Sequence, residues 1–263
     1  MKYKLIIVVI GARGGLWDKF RKIWQKYCHN FTDVRTHFVY GGNQHKNSLM
    51  GDLVFENSPD TYPPTIHKTL ESFRYIDSNY DYDFILRTNL SSFWNIPRLL
   101  ENLKDLPPEK CYAGDGPLIH DSPGAERIGC PYLSGTDTIV SKDVVKEAIK
   151  YIDSNEEFKN SLLSYDGWTL PDDKAMGLIF FDKLHTPMTS ISDKKNNMVY
   201  LHEADTSSES IEEVIHNSIK NSESLKHNNF RIKNTFSGSP ESRINLDPLI
   251  MNTLYKYYYA NEE

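Results

Sequence analysis

The chain has 263 residues, of which 39% are hydrophobic and 25% are charged, and this is enough for one large domain with a sizeable core. Its formal net charge of −6 argues against a general nucleic-acid-binding protein, because phosphate contacts require clustered lysine and arginine. The three cysteines are too few and too scattered for a disulfide framework or a zinc site, and they fit a reducing compartment. The first long apolar run, residues 5–10, is too short for a signal peptide or a membrane span. We therefore expect a cytoplasmic protein without a membrane span.

The first part of the chain alternates between predicted strands and helices. Residues 4–10, 34–40 and 52–56 predict strands, with a helix over residues 16–27 and another that runs from the Pro63-Pro64 pair to about residue 79. This alternation predicts an α/β fold with a doubly wound, largely parallel sheet flanked by helices. The glycine-rich turn at residues 11–15 is compatible with nucleotide binding, but its spacing fits neither the dinucleotide fingerprint nor the phosphate loop. A plain strand-to-helix turn is the alternative.

The stretch from Tyr82 to Asn95 combines a buried strand with a cluster of small polar residues. Phe84-Ile85-Leu86 is a continuous apolar run, which is typical of a central strand of a parallel sheet. Small polar residues follow at 88, 89, 91 and 92, and ligands of open α/β sheets bind beyond the carboxyl ends of strands. We expect residues 87–92 to lie at a ligand site. A polar turn that caps the next helix is the alternative.

The rest of the chain predicts further elements and a division into two parts. In order, these elements are a helix at 97–103, a strand at 111–114, a long loop at 117–129, a turn and strand at 131–140, helices at 142–152 and 171–180, a strand at 198–202, a helix at 210–218 and a helix at 248–259. We assign residues 1–205 to the main domain. Residues 206–263 are predicted to be a helical extension packed on it.

Several segments within residues 4–180 together resemble one known family. They are Arg21-Lys22-Ile23-Trp24, Asp60-Thr61-Tyr62, Thr65-Ile66-His67-Lys68-Thr69-Leu70 with Arg74-Tyr75, Phe84-Ile85-Leu86-Arg87-Thr88, Tyr132-Leu133-Ser134-Gly135 and Asp172-Asp173-Lys174-Ala175-Met176-Gly177. In this order they resemble motifs of the β-1,3-galactosyltransferase and Fringe-like glycosyltransferases, which have the GT-A fold. The resemblance implies an inverting hexosyl- or pentosyltransferase that moves a sugar from a UDP-sugar to a glycan hydroxyl.

The resemblance also implies roles for individual residues. By motif position, Asp173 is the general base that takes the proton of the acceptor hydroxyl. The residues implied in donor binding are Ala12, Arg13, Lys68, Arg74, Arg87, Thr88, Asn89, Ser91, Ser134, Gly135 and Thr136. The candidates for acceptor binding are Trp94, Asp137, Asp166 and Trp168, and for both tryptophans core packing is the alternative.

The chain departs from the family at the metal site. Where the family has Asp-x-Asp, this chain has Asn89-Leu90-Ser91, and neither polar residue brings the negative charge that a hard divalent cation prefers. We therefore expect Mn²⁺ or Mg²⁺ to be weakly held or absent. Ser91 and His202 are the candidate ligands, and an ordinary strand histidine is the alternative for His202.

Two other functions remain open from the sequence. The neutral residues at 89 and 91 would permit an inactive relative that binds a nucleotide-sugar or a glycan without turnover. The glycine-rich turn at 11–15 alone would permit an unrelated nucleotide-binding α/β enzyme. The expected partners are a nucleotide-sugar and a glycan acceptor, with no nucleic acid, and the sequence leaves the oligomeric state open.

Overall fold

A seven-stranded mixed sheet forms the centre of the molecule. The computed structural model describes residues 1–42, 51–58, 65–114, 119–120, 122–162, 170–191, 213, 216–217, 220, 228–232 and 240–259. The strands are β1 (Lys2–Ile10), β2 (Val34–Gly41), β3 (Asp52–Phe55), β4 (Asp81–Asn89), β5 (Ser92–Trp94), β6 (Tyr112–Gly114), β7 (Thr138–Ser141), β8 (Met188–Ser190) and β9 (Asn229–Arg231). The central sheet has the order β3-β2-β1-β4-β7-β6-β8, and β5 pairs separately with β9. Only β7 among the seven runs antiparallel to its neighbours.

Helices cover both faces of this sheet. They are α1 (Leu16–Cys28), α2 (Ile66–Asn79), α3 (Ile96–Asn102), α4 (Pro123–Ile128), α5 (Lys142–Ser154), α6 (Glu156–Ser161), α7 (Asp172–Met176) and α8 (Pro240–Tyr259), with a 3₁₀ turn at Leu103–Asp105 and a π-helix at Gly177–Lys183. Alternate residues of β1 enter two hydrophobic clusters, one shared with α1, α3 and α8 and the other with α2, α5 and α7. The prediction of a largely parallel, helix-flanked α/β sheet is confirmed, and the architecture is compatible with a GT-A type fold.

The register of the two central strands brings their carboxyl ends to one level. Ile10 of β1 pairs with Asn89 of β4, and each strand contains a continuous apolar run, Leu5–Ile10 in β1 and Phe84–Leu86 in β4, whose side chains are buried. Because parallel strands end at the same edge, the loops after β1 and β4 emerge side by side.

The region from residue 117 to 129, predicted as an irregular loop, contains a helix instead. The side chain of Ser122 accepts a hydrogen bond from the amide of Ala125 at 3.0 Å, and Pro123 occupies the first helical turn. Gly129 ends α4 with φ of 70°, a left-handed conformation that favours glycine. The predicted strand at 198–202 lies outside the described residues, as does most of the predicted helix at 210–218. Within that helix, Glu213, His216 and Asn217 are helical.

The last helix begins at Pro240, not at Pro248 as predicted. Pro248 lies inside α8 and has no N–H to donate to the carbonyl four residues earlier, which belongs to Ile244. The ammonium group of Lys19, on α1, donates to that carbonyl at 3.2 Å. A residue of another helix therefore replaces the missing hydrogen bond and fastens α8 to α1. Within the described ranges, no helix combines the length and apolarity needed to cross a bilayer.

Candidate functional site

Residues from three parts of the chain converge at the carboxyl edge of the sheet. Arg87 and Asn89 end β4, and Thr138 at the start of β7 pairs with Arg87. The first turn of α7 supplies Asp172 and Asp173 to the same place. Two of these residues form a buried ion pair, in which Arg87 donates to the carboxylate of Asp172 and the side chains are 5% and 8% exposed.

Asp173 differs from its neighbour in exposure. Its side chain is 25% exposed, and its carboxylate accepts a hydrogen bond from the amide of Lys174 at 2.9 Å. The ammonium group of Lys174 lies 3.5 Å from the same oxygen. Burial, and then the negative charge of Asp172, raise the pKa of Asp173 above its ordinary value. Asp173 is therefore a carboxylate with increased basicity that a ligand can reach.

A turn of small residues packs directly on these charged groups. A Cβ atom on Gly135 would lie 2.9 Å from Nη1 of Arg87 and 3.3 Å from Cβ of Asp173. The hydroxyl of Thr88 donates to the carbonyl of Thr136 at 2.7 Å, and the hydroxyls of Ser134 and Thr136 are 2.9 Å apart. Only glycine lets the backbone at position 135 come this close to the two charged side chains. The structure thus brings together Arg87, Gly135 and Asp173 of the predicted site.

Three side chains that were predicted to contact a ligand are buried in the structure. Trp94 is fully buried, and its indole N–H donates to the hydroxyl of Thr88 at 3.0 Å, so its ring is a core group that an acceptor sugar cannot reach. Thr88 is itself fully buried and uses its hydroxyl to join Trp94 to the Thr136 carbonyl, which excludes the predicted contact of its side chain with the donor. Asp137 is 1% exposed, so its carboxylate is closed to an acceptor in this structure.

The other predicted cationic residues have partners of their own. Arg13 pairs with Asp52 at 2.8 Å and lies over the ring of Tyr40, which holds the segment around the half-buried Ala12 after β1. Lys68 is buried and donates to the carbonyl of Gly11 at 3.1 Å, at the same edge of the sheet.

Arg74 lies further along α2, where it pairs with Asp153 of α5 at 2.5 Å. The contacts of Arg74 therefore belong to the packing of two helices. Asp166, Trp168 and His202 lie outside the described residues, so their predicted roles stay predictions.

The residues at the position of the family's metal site contact an arginine that the sequence did not indicate. Arg231 donates through Nη1 to the side-chain oxygens of both Asn89 and Ser91. Arg231 reaches them because β9 pairs antiparallel with β5, which places it opposite Ser92. Its sequence signal is weak: Phe230-Arg231-Ile232 alternates apolar and polar residues, but over too few positions to predict a strand.

The side-chain oxygens of Asn89 and Ser91 do not fit a divalent metal ion as ligands. An amide oxygen and a hydroxyl oxygen bring no negative charge, whereas Mn²⁺ and Mg²⁺ prefer carboxylates, and the guanidinium beside them is itself cationic. In the part of the chain that the structure describes, no group of three or more His, Cys, Asp or Glu residues could hold a metal ion.

No protein-family model matches the chain. Over 101 residues the chain is 33% identical to a protein described as beta-1,3-galactosyltransferase pvg3 from Schizosaccharomyces pombe. This match covers 38% of the chain and 26% of that protein, so the chain spans about a quarter of the relative's length. Together with the confirmed fold class, this similarity supports a distant relationship to glycosyltransferases.

Proposed function

We propose that this protein is a glycosyltransferase that moves a sugar from a UDP-sugar to a glycan hydroxyl with inversion, and that Asp173 is its general base. The observation that carries the proposal is the setting of Asp173. It is a reachable carboxylate with a raised pKa, at the edge of the sheet where ligands of α/β proteins bind. The similarity to a β-1,3-galactosyltransferase supports the same class of reaction.

The proposed step is a single displacement at the anomeric carbon. The acceptor oxygen forms a bond to that carbon while the bond from the carbon to the diphosphate oxygen breaks, and UDP leaves with the electron pair. The proton of the acceptor hydroxyl passes to Asp173. A raised pKa makes this carboxylate a stronger base than an exposed aspartate. Arg87 and Asp172 act as positioning residues, because their buried ion pair fixes the first turn of α7.

The test is turnover of UDP-sugars by an Asp173→Asn variant. We expect turnover to fall about a hundredfold or more, which is the usual contribution of a positioned base. The affinity for UDP, measured by calorimetry, should be unchanged. Asp182→Asn is the matched control, since its carboxylate is 41% exposed on the π-helix after α7 and should be dispensable. Normal turnover by Asp173→Asn would assign the base to another residue.

The second candidate is a relative that binds nucleotide-sugars without turnover. The neutral side chains of Asn89 and Ser91 favour it, because they lack the charge of the family's Asp-x-Asp pair. Stabilisation by UDP in a thermal-shift screen, without transfer or hydrolysis of any UDP-sugar, would support this candidate over the enzyme. Stabilisation by NAD but not by UDP would support the unrelated nucleotide-binding enzyme.

A further inference from the structure

We propose that the guanidinium of Arg231, and not a divalent metal ion, is the positive charge that meets the diphosphate of the nucleotide-sugar. This inference rests on the proposed function, because it assigns a diphosphate-binding residue to the same site. The observation behind it is the contact of Arg231 with both Asn89 and Ser91. These two residues stand where the family resemblance would place the metal-binding carboxylates.

The backbone of β9 holds Arg231 in place from both sides. The amide of Ile232, the next residue, donates to the carbonyl of Ser91 at 2.8 Å. On the other side, the amide of Asn95 donates to the carbonyl of Asn228 at 2.8 Å. Phe230, directly before Arg231, is fully buried against Phe93. The base of the arginine side chain is therefore fixed by a strand pair and a buried ring, as expected of a preorganised binding group.

The chemistry of the three side chains favours a phosphate ligand. Asn89 and Ser91 offer neutral oxygens that orient the guanidinium, and neither brings a negative charge of its own. Arginine binds phosphate oxygens through paired hydrogen bonds and stays charged at any physiological pH. A divalent cation at the same place would be repelled by the guanidinium and would have no carboxylate among these contacts. The site therefore carries the positive charge of an arginine side chain at the place where the enzymes that the chain resembles bind a metal ion.

The first experiment measures binding of UDP and uridine by calorimetry in EDTA. We expect the wild-type protein to bind UDP without metal, with an affinity that falls as the salt concentration rises. Arg231→Gln keeps an amide donor toward Asn89 and Ser91 but removes the charge. It should weaken UDP binding about 10- to 100-fold, since a charge-assisted hydrogen bond is lost, while uridine binding stays the same. Arg231→Lys should retain more UDP affinity than Arg231→Gln.

Arg35→Gln is the matched control for net charge. Arg35 is exposed near the amino end of β2, at the opposite edge of the sheet, and its loss should leave UDP binding unchanged. Thermal unfolding of each variant shows whether the fold is retained. Equal UDP affinities of the wild type and Arg231→Gln in EDTA would overturn the inference, as would wild-type UDP binding that requires Mn²⁺. A wild type that binds no UDP under any condition would instead overturn the proposed function.

A converse variant tests the position directly. Asn89→Asp, Ser91→Asp and Arg231→Gln in one protein replace the fixed cation by two carboxylates. We expect this triple variant to bind UDP weakly in EDTA and at least about tenfold more tightly in Mn²⁺. Mn²⁺ should not increase the UDP affinity of the single Arg231→Gln variant. A triple variant whose UDP affinity does not respond to Mn²⁺ would overturn the assignment of this place to the diphosphate.

Discussion

Replacement of Asp172 by asparagine should destabilise the protein strongly, although the same change at Asp173 should not. Arg87 and Asp172 are 5% and 8% exposed, so the loss of the carboxylate leaves a guanidinium buried without its partner. Removal of one member of a buried ion pair costs about 3–5 kcal/mol, a large part of the 5–15 kcal/mol that stabilises a typical domain. Asp173 is 25% exposed and its loss should cost under about 1 kcal/mol.

Urea unfolding followed by tryptophan fluorescence measures both effects. The double variant Arg87→Met with Asp172→Asn completes a mutant cycle, and it should lose less stability than the sum of the single variants, because no unpaired charge remains. Either of two results would show that the ion pair does not anchor α7. One is a loss of less than about 1 kcal/mol in the free energy of unfolding for Asp172→Asn; the other is additive losses for the two single variants.

Three further predictions concern separate parts of the fold. Gly135→Ala should lower the free energy of unfolding by about 1–3 kcal/mol and weaken UDP binding, because its methyl group would lie 2.9 Å from Arg87; urea unfolding and calorimetry measure this. Burial and then the charge of Arg35 lower the pKa of His37 to about 4, so the unfolded chain takes up a proton first as the pH falls. Stability should therefore drop by up to about 3 kcal/mol from pH 7 to pH 4, and a His37→Phe variant should lack this part of the pH dependence. Tyr27→Phe should lower the free energy of unfolding by about 1–3 kcal/mol, because the buried hydroxyl of Tyr27 donates to the Trp94 carbonyl at 2.6 Å; thermal unfolding measures this.

Local patterns predicted the centre of the fold. The apolar runs of β1 and β4 are buried on both faces of the sheet, and such runs show directly in the sequence. The change to polar residues after Leu86 also marked the edge of the sheet where the Arg87–Asp172 ion pair and Asp173 lie. Burial was harder to predict, since an aromatic residue such as Trp94 suits a sugar site and a core equally well.

The missed features depend on contacts between distant parts of the chain. Arg231 meets Asn89 across 142 residues of sequence, and β9 has only three residues, so no local pattern indicates either the strand or its partner. The start of α8 was missed for a similar reason. Pro248 predicts a helix start, but the ammonium group of Lys19 satisfies the carbonyl that the proline leaves without a partner.

The pairing of β5 with β9 has a consequence for synthesis on the ribosome. Residue 231 is added 142 residues after residue 89, and at about 5–20 residues per second this takes roughly 7–28 s. During that interval the parallel core from β1 to β4 can form, but β5 has no partner strand and Phe93 lacks its contact with Phe230. The nascent chain therefore carries an open strand edge, which is a hazard for aggregation and a binding site for chaperones. β9 covers the open edge of β5 and also contains Arg231. The proposed diphosphate site therefore forms only after the aggregation-prone interval is over.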